Sequence, residues 1–318
     1  MSLVRTVLGD IDASVLGVCY AHEHLIIDAS YAAEKYPDFA LPSIENGVAE
    51  LREFYANGGR AMVDSMPCDS GRNVRKLSEI SQQTGVHIVA PTGLHLQKYY
   101  PQGHWGTRLR EDQLADLFVA DIEQGIDAHD YNGPVVERTP HRAGIIKVAG
   151  GKDKLSAHEQ KLFRAAVQAH VRTGAPILTH TEQGTAAIEQ AELLIGNGVS
   201  PTSIVLSHTD RQPNLAYHRA ILSAGIFVEF DSAFRWKTEN ENPTRDLIMA
   251  LFEAGYGAQV MLGMDAARPS YWKNYGGAPG LSFLLTEFSV QLRAAGLGDN
   301  ELHQIFVTNP ARAFVFHS

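Results

Sequence analysis

Residues 143–181 read AGIIKVAGGKDKLSAHEQKLFRAAVQAHVRTGAPILTHT. A short run rich in Ile and Val carries Lys147. A longer stretch with apolar residues at helical spacing then runs to Gly174, and a second short apolar run ends on His180. A strand, a helix and a strand in that order form a parallel βαβ unit, because parallel strands need a crossover long enough to return to the same end of the sheet. The same alternation recurs along the whole chain. The strand candidates are VLGVCYAHEHLI, GRAMVDSMP, VHIVAPTGLH, AGIIKVAG, APILTHT, SIVLSHT, GIFVEFDS and AQVMLGMDA. Between them lie amphipathic stretches such as SIENGVAELREFYANGG, GRNVRKLSEISQQTG, REDQLADLFVADIEQGI, TAAIEQAELLIGNG and NPTRDLIMALFEAGYG. Several of these end in glycine, as a helix C-terminus does.

Eight strand–helix units in about 300 residues predict an α/β fold, a closed (β/α)8 TIM barrel. The alternative is an open doubly wound sheet, but no strand leads into a G-x-G-x-x-G turn. No linker, low-complexity tract or charge block interrupts the chain, so residues 1–318 are expected to form a single domain. The tail LHQIFVTNPARAFVF is apolar at helical spacing and is expected to pack across one end of the barrel.

Composition narrows the partners. The 318 residues are 44% hydrophobic and 20% charged, with a formal net charge of -9. An acidic chain without a clustered basic face is a poor partner for nucleic acid or an anionic membrane, though a small anion can still bind in a locally basic pocket. Only Cys19 and Cys68 occur, so no disulfide framework is expected and a reducing interior fits. No signal peptide and no run of 18 apolar residues is seen, so the expectation is a soluble cytoplasmic protein.

In a barrel the site lies at the C-terminal ends of the strands. There the chain places His22 and His24, two apart and so on one face of the first strand. The fourth strand supplies Lys147, the fifth His180, the sixth His208 and the eighth Asp265. Branched apolar side chains normally fill a barrel interior, and six polar groups converging there are costly unless something pairs them. Neutral imidazoles with a carboxylate suit a divalent metal: Zn, Mn, Fe or Co. Taken singly, each histidine has a plainer reading as a hydrogen-bonded core residue; the convergence of all six favours the metal. Glu23, between the two histidines, points the other way by strand alternation and is read as structural support. The remaining histidines weighed, His87, His129, His141, His158, His170, His218, His303 and His317, fall at strand starts, on helices or in the tail, and are read as structural or solvated.

AHEHL, RAGIIKVA, ILTHTEQGT, VLSHTDR, LGMDA and the terminal TNPAR, in that order, resemble the phosphotriesterase family of the amidohydrolase superfamily, which includes phosphotriesterase-like lactonases. The resemblance covers essentially the whole chain. It implies that His22, His24 and Asp265 hold the more buried of two divalent ions, zinc being the first expectation, and that His180 and His208 hold the more exposed one. Lys147, carbamylated by carbon dioxide, would bridge them together with a hydroxide. The hydroxide would attack the substrate, and Asp265 would accept its proton and help deliver it to the leaving oxygen. A homodimer is common among such relatives and is the expected assembly.

Triesterases, lactonases and amide hydrolases share this fold and metal set, so the loops must separate them. After the third strand, TGLHLQKYY places His95 where many lactonase-type relatives carry a tyrosine. Loops seven and eight bring Arg235, Lys237, Arg268 and Tyr271, with Lys273 nearby. Cations and a phenol there suit an anionic substrate group; the alternative is that they are solvated or pair with Glu239 and Glu241. The expected function is therefore a lactonase for a small anionic sugar lactone, phosphorylated ones included. A phosphotriesterase (aryldialkylphosphatase) or an amide hydrolase is the nearer alternative. A non-catalytic metal-bound binding protein is the remote one, and its signature would be loss of Lys147 or Asp265; both are present.

Overall fold

The computed structural model describes residues 2–236 and 241–317. The expected barrel is present. Its strands are β1 (Cys19–Glu23), β2 (Ala61–Asp64), β3 (His87–Val89 and Pro91–Leu94), β4 (Ile145–Gly150), β5 (Ile177–Thr181), β6 (Ile204–Ser207), β7 (Phe227–Phe230) and β8 (Val260–Leu262). From β1 to β8, successive strands pair in parallel. The ladder breaks in the middle of β3, where Pro91 has no N–H to donate.

The seam between β8 and β1 is made by backbone and one carboxylate. Met264 and Asp265 donate their N–H groups to the His22 carbonyl at 3.2 and 3.1 Å. Glu23, fully buried, accepts from the Met264 and Ala266 N–H groups at 2.7 and 3.4 Å. Its support role is thus specific: it ties the start of the ring to its end.

Helices lie between the strands as their caps dictate. Ser156 and Glu159 form a reciprocal capping box at the start of Ala157–Thr173, and Gly174 ends that helix in the left-handed region. Gly198, at φ +95, follows helix Ala187–Gly196 in the same way. The expected plug at one end is also seen. Phe314 and Ala313 of the tail pack with Val4, Leu16, Phe227 and Met261, closing the barrel end opposite the strand C-termini. An antiparallel ribbon, Leu3–Thr6 with Gly9–Asp12, adds to that end. It was not legible in the sequence because strands of four residues, one of them GDID, show no apolar alternation.

Two local features aim the site residues. The register of β1 against β2 shifts between Tyr20 and Glu23. Ala21 packs with the interior apolar set, and the next residue, His22, also faces the interior, so strict alternation fails there, as it does at a bulge. Gly93 of β3 pairs with Lys147 of β4, and a Cβ on Gly93 would sit 1.9 Å from the Lys147 carbonyl oxygen. Gly93 is also at φ +109. We therefore expect Gly93→Ala to cost at least about 2 kcal/mol in urea denaturation. An unchanged midpoint would mean that β3 can draw away from Lys147 without loss.

Candidate metal centre

The strand ends deliver their polar residues to one open cavity of about 390 Å³. His22, His24, His180, His208 and Asp265 all line it, and Lys147 lies buried beside them with Nζ 3.5 Å from His22 Nδ1. Asp265 Oδ1 is 3.2 Å from His24 Nε2 and 3.7 Å from His22 Nε2. The ligand atoms of these three residues lie within 4.8 Å of one another. The His208 ring is 4.6 Å, centroid to centroid, from both the His22 and the His180 rings. All six residues singled out from the strand ends are therefore brought together.

Behind the rings stands a set of acceptors. His208 Nδ1 is in close contact with the Asp231 carboxylate, and His180 Nε2 is 2.8 Å from Glu182 Oε2. A carboxylate only accepts, so each imidazole donates there and keeps its other nitrogen as a lone pair. Arg211 Nη2 also lies 3.1 Å from His208 Nδ1, but with that nitrogen protonated the arginine bonds instead to Asp231 Oδ1, at 3.1 Å. His22 Nδ1 meets Ser207 Oγ at 2.9 Å. Burial pushes the pKa of His180 down and those of His22 and His208 well down, which keeps these rings neutral. Neutral imidazoles backed by carboxylates are the form a divalent ion needs, so the donor set fits a metal.

The charged groups are balanced in pairs. Burial lowers the Lys147 pKa to about 7, partly offset by the charges of Glu229 and Asp265. Burial works against the charge on Asp265, but the His24 hydrogen bond and the Arg235 guanidinium help hold its carboxyl well below the usual range. Glu229, fully buried in β7, lies 3.5 Å from His22 Nδ1, and neither of its oxygens has a hydrogen-bond partner among the described residues. Burial, reinforced by the Asp231 charge, pushes its pKa well up. His22, His208, Glu229 and Asp231 form a second, deeper group able to hold an ion.

The expected substrate residues are distributed unevenly. His95 lines the cavity; its Nδ1 accepts from the Leu96 N–H at 2.7 Å, so the proton is on Nε2. The missing phenol is found four residues on, at Tyr99, which lines the same cavity in edge contact with the His95 ring. Arg268 and Tyr271 also line it, with Arg268 ion-paired to Asp38 at the surface. Arg235 faces inward: its guanidinium reaches Asp231 Oδ1 at 3.1 Å and Asp265 Oδ2 at 3.2 Å. Lys237, with Glu239, lies outside the described residues, and Lys273 is ion-paired with Glu53, away from the cavity lining.

Arg211, Asp231 and Glu182 escaped the sequence reading. The signal existed for two of them. Asp231 ends the seventh strand run, where the strand-end rule applies, and Glu182 follows His180 by two residues. Arg211 had no such signal, since a charge three residues past a strand usually reads as solvated.

The Lys147 shift has a consequence for the protein freed of metal. Above about pH 7 the folded protein loses the Lys147 proton, whereas the unfolded chain keeps it up to the ordinary value of 10.5. Between these limits the unfolded state binds more protons, so stability rises with pH. Chelator-treated protein should gain stability from pH 7 to 10 relative to Lys147→Met in denaturant titrations. Parallel pH curves would mean that Lys147 stays charged in the barrel.

Comparison with known proteins agrees with this geometry. The phosphotriesterase family profile matches residues 2–314. A phospho-furanose lactonase of Mycoplasmopsis synoviae is 33% identical over 98% of this chain and 91% of its own. The crystal structure of a lactonase from Listeria monocytogenes superposes with a TM-score of 0.91 at 29% identity, covering 100% of both chains. The Escherichia coli phosphotriesterase homology protein, solved with phosphate in its active site, superposes with a TM-score of 0.86 at 30% identity, over 96% of this chain and 100% of that one. With its whole length matched in sequence and in fold, the chain belongs to the phosphotriesterase family.

Proposed function

We propose that the protein is a metal-dependent hydrolase that opens a small anionic sugar lactone, phosphorylated sugar lactones being the leading substrate class. The observation that carries this reading is the cavity itself, which joins a floor of histidines and Asp265 to a wall bearing Arg235, Arg268 and Tyr271. Guanidinium groups beside a phenol suit a phosphate or carboxylate, and a neutral triester would make no use of them. The lactonase names of two relatives and the phosphate seated in a third support the same class.

His22, His24, Lys147, His180, His208 and Asp265 would hold two divalent ions, zinc first among Zn, Mn, Co and Fe. Bound there, the ions would supply an activated water and polarise the lactone carbonyl. Lys147, held as a free amine near neutrality, would add carbon dioxide through nitrogen, release a proton and become an anionic carbamate ligand. Asp265 would take the proton from the attacking water and pass it to the ring oxygen as the C–O bond breaks, giving the hydroxy acid. His95 Nε2–H and the Tyr99 phenol border the same space and would orient the sugar. Arg235, Arg268, Tyr271 and Lys237 would recognise the anionic group. Residues 1–318 would act as one domain, in the cytoplasm and as a homodimer. The two buried free cysteines suit a reducing compartment, and no helix of the described residues is long and apolar enough to cross a membrane.

Three measurements bear on this reading. With protein reconstituted with zinc, phosphorylated furanose lactones should be hydrolysed at least about tenfold better, in kcat/KM, than their unphosphorylated forms, a difference of about 1.4 kcal/mol; equal turnover would remove the anionic class. Asp265→Asn should keep part of its metal yet lose about 100-fold or more in kcat, and near-normal turnover would remove its proton-accepting role. Arg268→Ala should raise KM for the phosphorylated lactone about tenfold with kcat little changed.

A further inference from the structure

Asp265 presents its two carboxylate oxygens to different sides. Oδ1 faces His24 Nε2 and His22 Nε2, at 3.2 and 3.7 Å. Oδ2 accepts from Arg211 Nη2 at 2.9 Å and from Arg235 Nη2 at 3.2 Å. The same Arg211 nitrogen reaches Asp231 Oδ1 at 3.1 Å, and the other oxygen of Asp231 takes the His208 Nδ1 proton. One guanidinium nitrogen therefore spans the ends of β7 and β8 and, through two aspartates, touches the settings of both His24 and His208.

The turn that carries Arg211 is built to hold it there. It is a 3-10 turn over Thr209–Arg211, entered through His208 in the left-handed region at φ +66. Asp210, buried beneath it, accepts from the Ser232 N–H at 2.9 Å and from Thr244 Oγ at 2.7 Å. Asp265 is itself left-handed, at φ +47, a conformation that strains a residue with a Cβ and persists where its surroundings impose it. Without a cation between them, Asp231 and Asp265 would repel across a desolvated gap. Arg235 shares this work, bonding the same two carboxylates at 3.1 and 3.2 Å, and it also donates to the carbonyls of Asp231 and Asp265.

We propose that Arg211 is a positioning residue of the metal centre. It holds Asp265 Oδ2 so that Oδ1 alone faces the histidines, and through Asp231 it fixes His208 with Nδ1 as donor. This rests on the reading of His24, His208 and Asp265 as metal ligands.

The test uses the full-length protein and two variants, Arg211→Ala and Arg211→Lys, with Asp231→Asn as the partner lesion. Zinc affinity of the chelator-treated protein is measured by competition with a chromophoric chelator, the absorption spectrum is recorded after cobalt(II) loading, and kcat and KM are measured on a phosphorylated furanose lactone. Arg211→Ala should lose about 10- to 100-fold in zinc affinity and in kcat, with KM shifted less than about threefold. Its cobalt(II) spectrum should change. Arg211→Lys should recover part of the loss, added guanidinium should partly restore the Ala variant, and Asp231→Asn should weaken zinc binding to a similar degree. Unchanged zinc affinity and an unchanged cobalt(II) spectrum in folded Arg211→Ala would overturn the proposal. So would a tenfold rise in KM with kcat and metal affinity intact, which would make Arg211 a substrate contact. If Arg211→Ala fails to fold, Arg211→Lys and Asp231→Asn decide by the same zinc and cobalt readouts. If the parent protein hydrolyses no lactone, the functional reading fails, while the zinc and cobalt comparisons still decide the role of Arg211.

Discussion

Everything at the open end of this barrel depends on matching charges and lone pairs among side chains that are largely buried. A closed ring of eight strands is normally filled by branched apolar side chains, and here one end is filled in that way, by Ile145, Leu178, Val205, Phe227 and Met261. One layer above, the same strands supply imidazoles, an amine and carboxylates. Each would cost several kcal/mol if buried alone. The protein meets that cost in two ways. Burial keeps His22, His180, His208 and Lys147 close to their neutral forms, and the ionised Asp265 is paired with guanidinium groups.

The histidines that line the cavity are consequently only half of the arrangement. Asp231 and Glu182 each take one ring proton, and Ser207 sits behind His22. Such partners set which nitrogen is free and how each ring is turned, and both matter as much to a bound ion as the identity of the ligand. Arg211 then joins two of these settings into one unit. One side chain thereby contacts the partners of both His24 and His208.

Backbone geometry makes the convergence feasible. The register shift in β1 lets Ala21 fill the core while His22 also turns inward. Gly93 allows β3 to approach the Lys147 carbonyl more closely than any side chain would permit. His208 and Asp265 leave their strands through left-handed residues. Glu23, between His22 and His24, fastens β1 to the chain beyond β8, so the two histidines and Asp265 are held across one seam.

The barrel, the order of its strands and the six polar residues at the strand ends could be read from the sequence, because apolar periodicity and strand position depend only on neighbours in the chain. The role of Glu23 as support was legible for the same reason, although its partners were not. Loop cations were legible as charges but not as contacts: Arg235 turns inward to two aspartates, Arg268 lines the cavity while pairing with Asp38, and a phenol, Tyr99, stands beside His95. Arg211, Asp231 and Ser207 meet their partners only when strands distant in sequence close into a ring. Local propensity determined which residues stand at the strand ends. Only the closed barrel decided which of them are desolvated together, because burial and pairing are properties of the assembled interior.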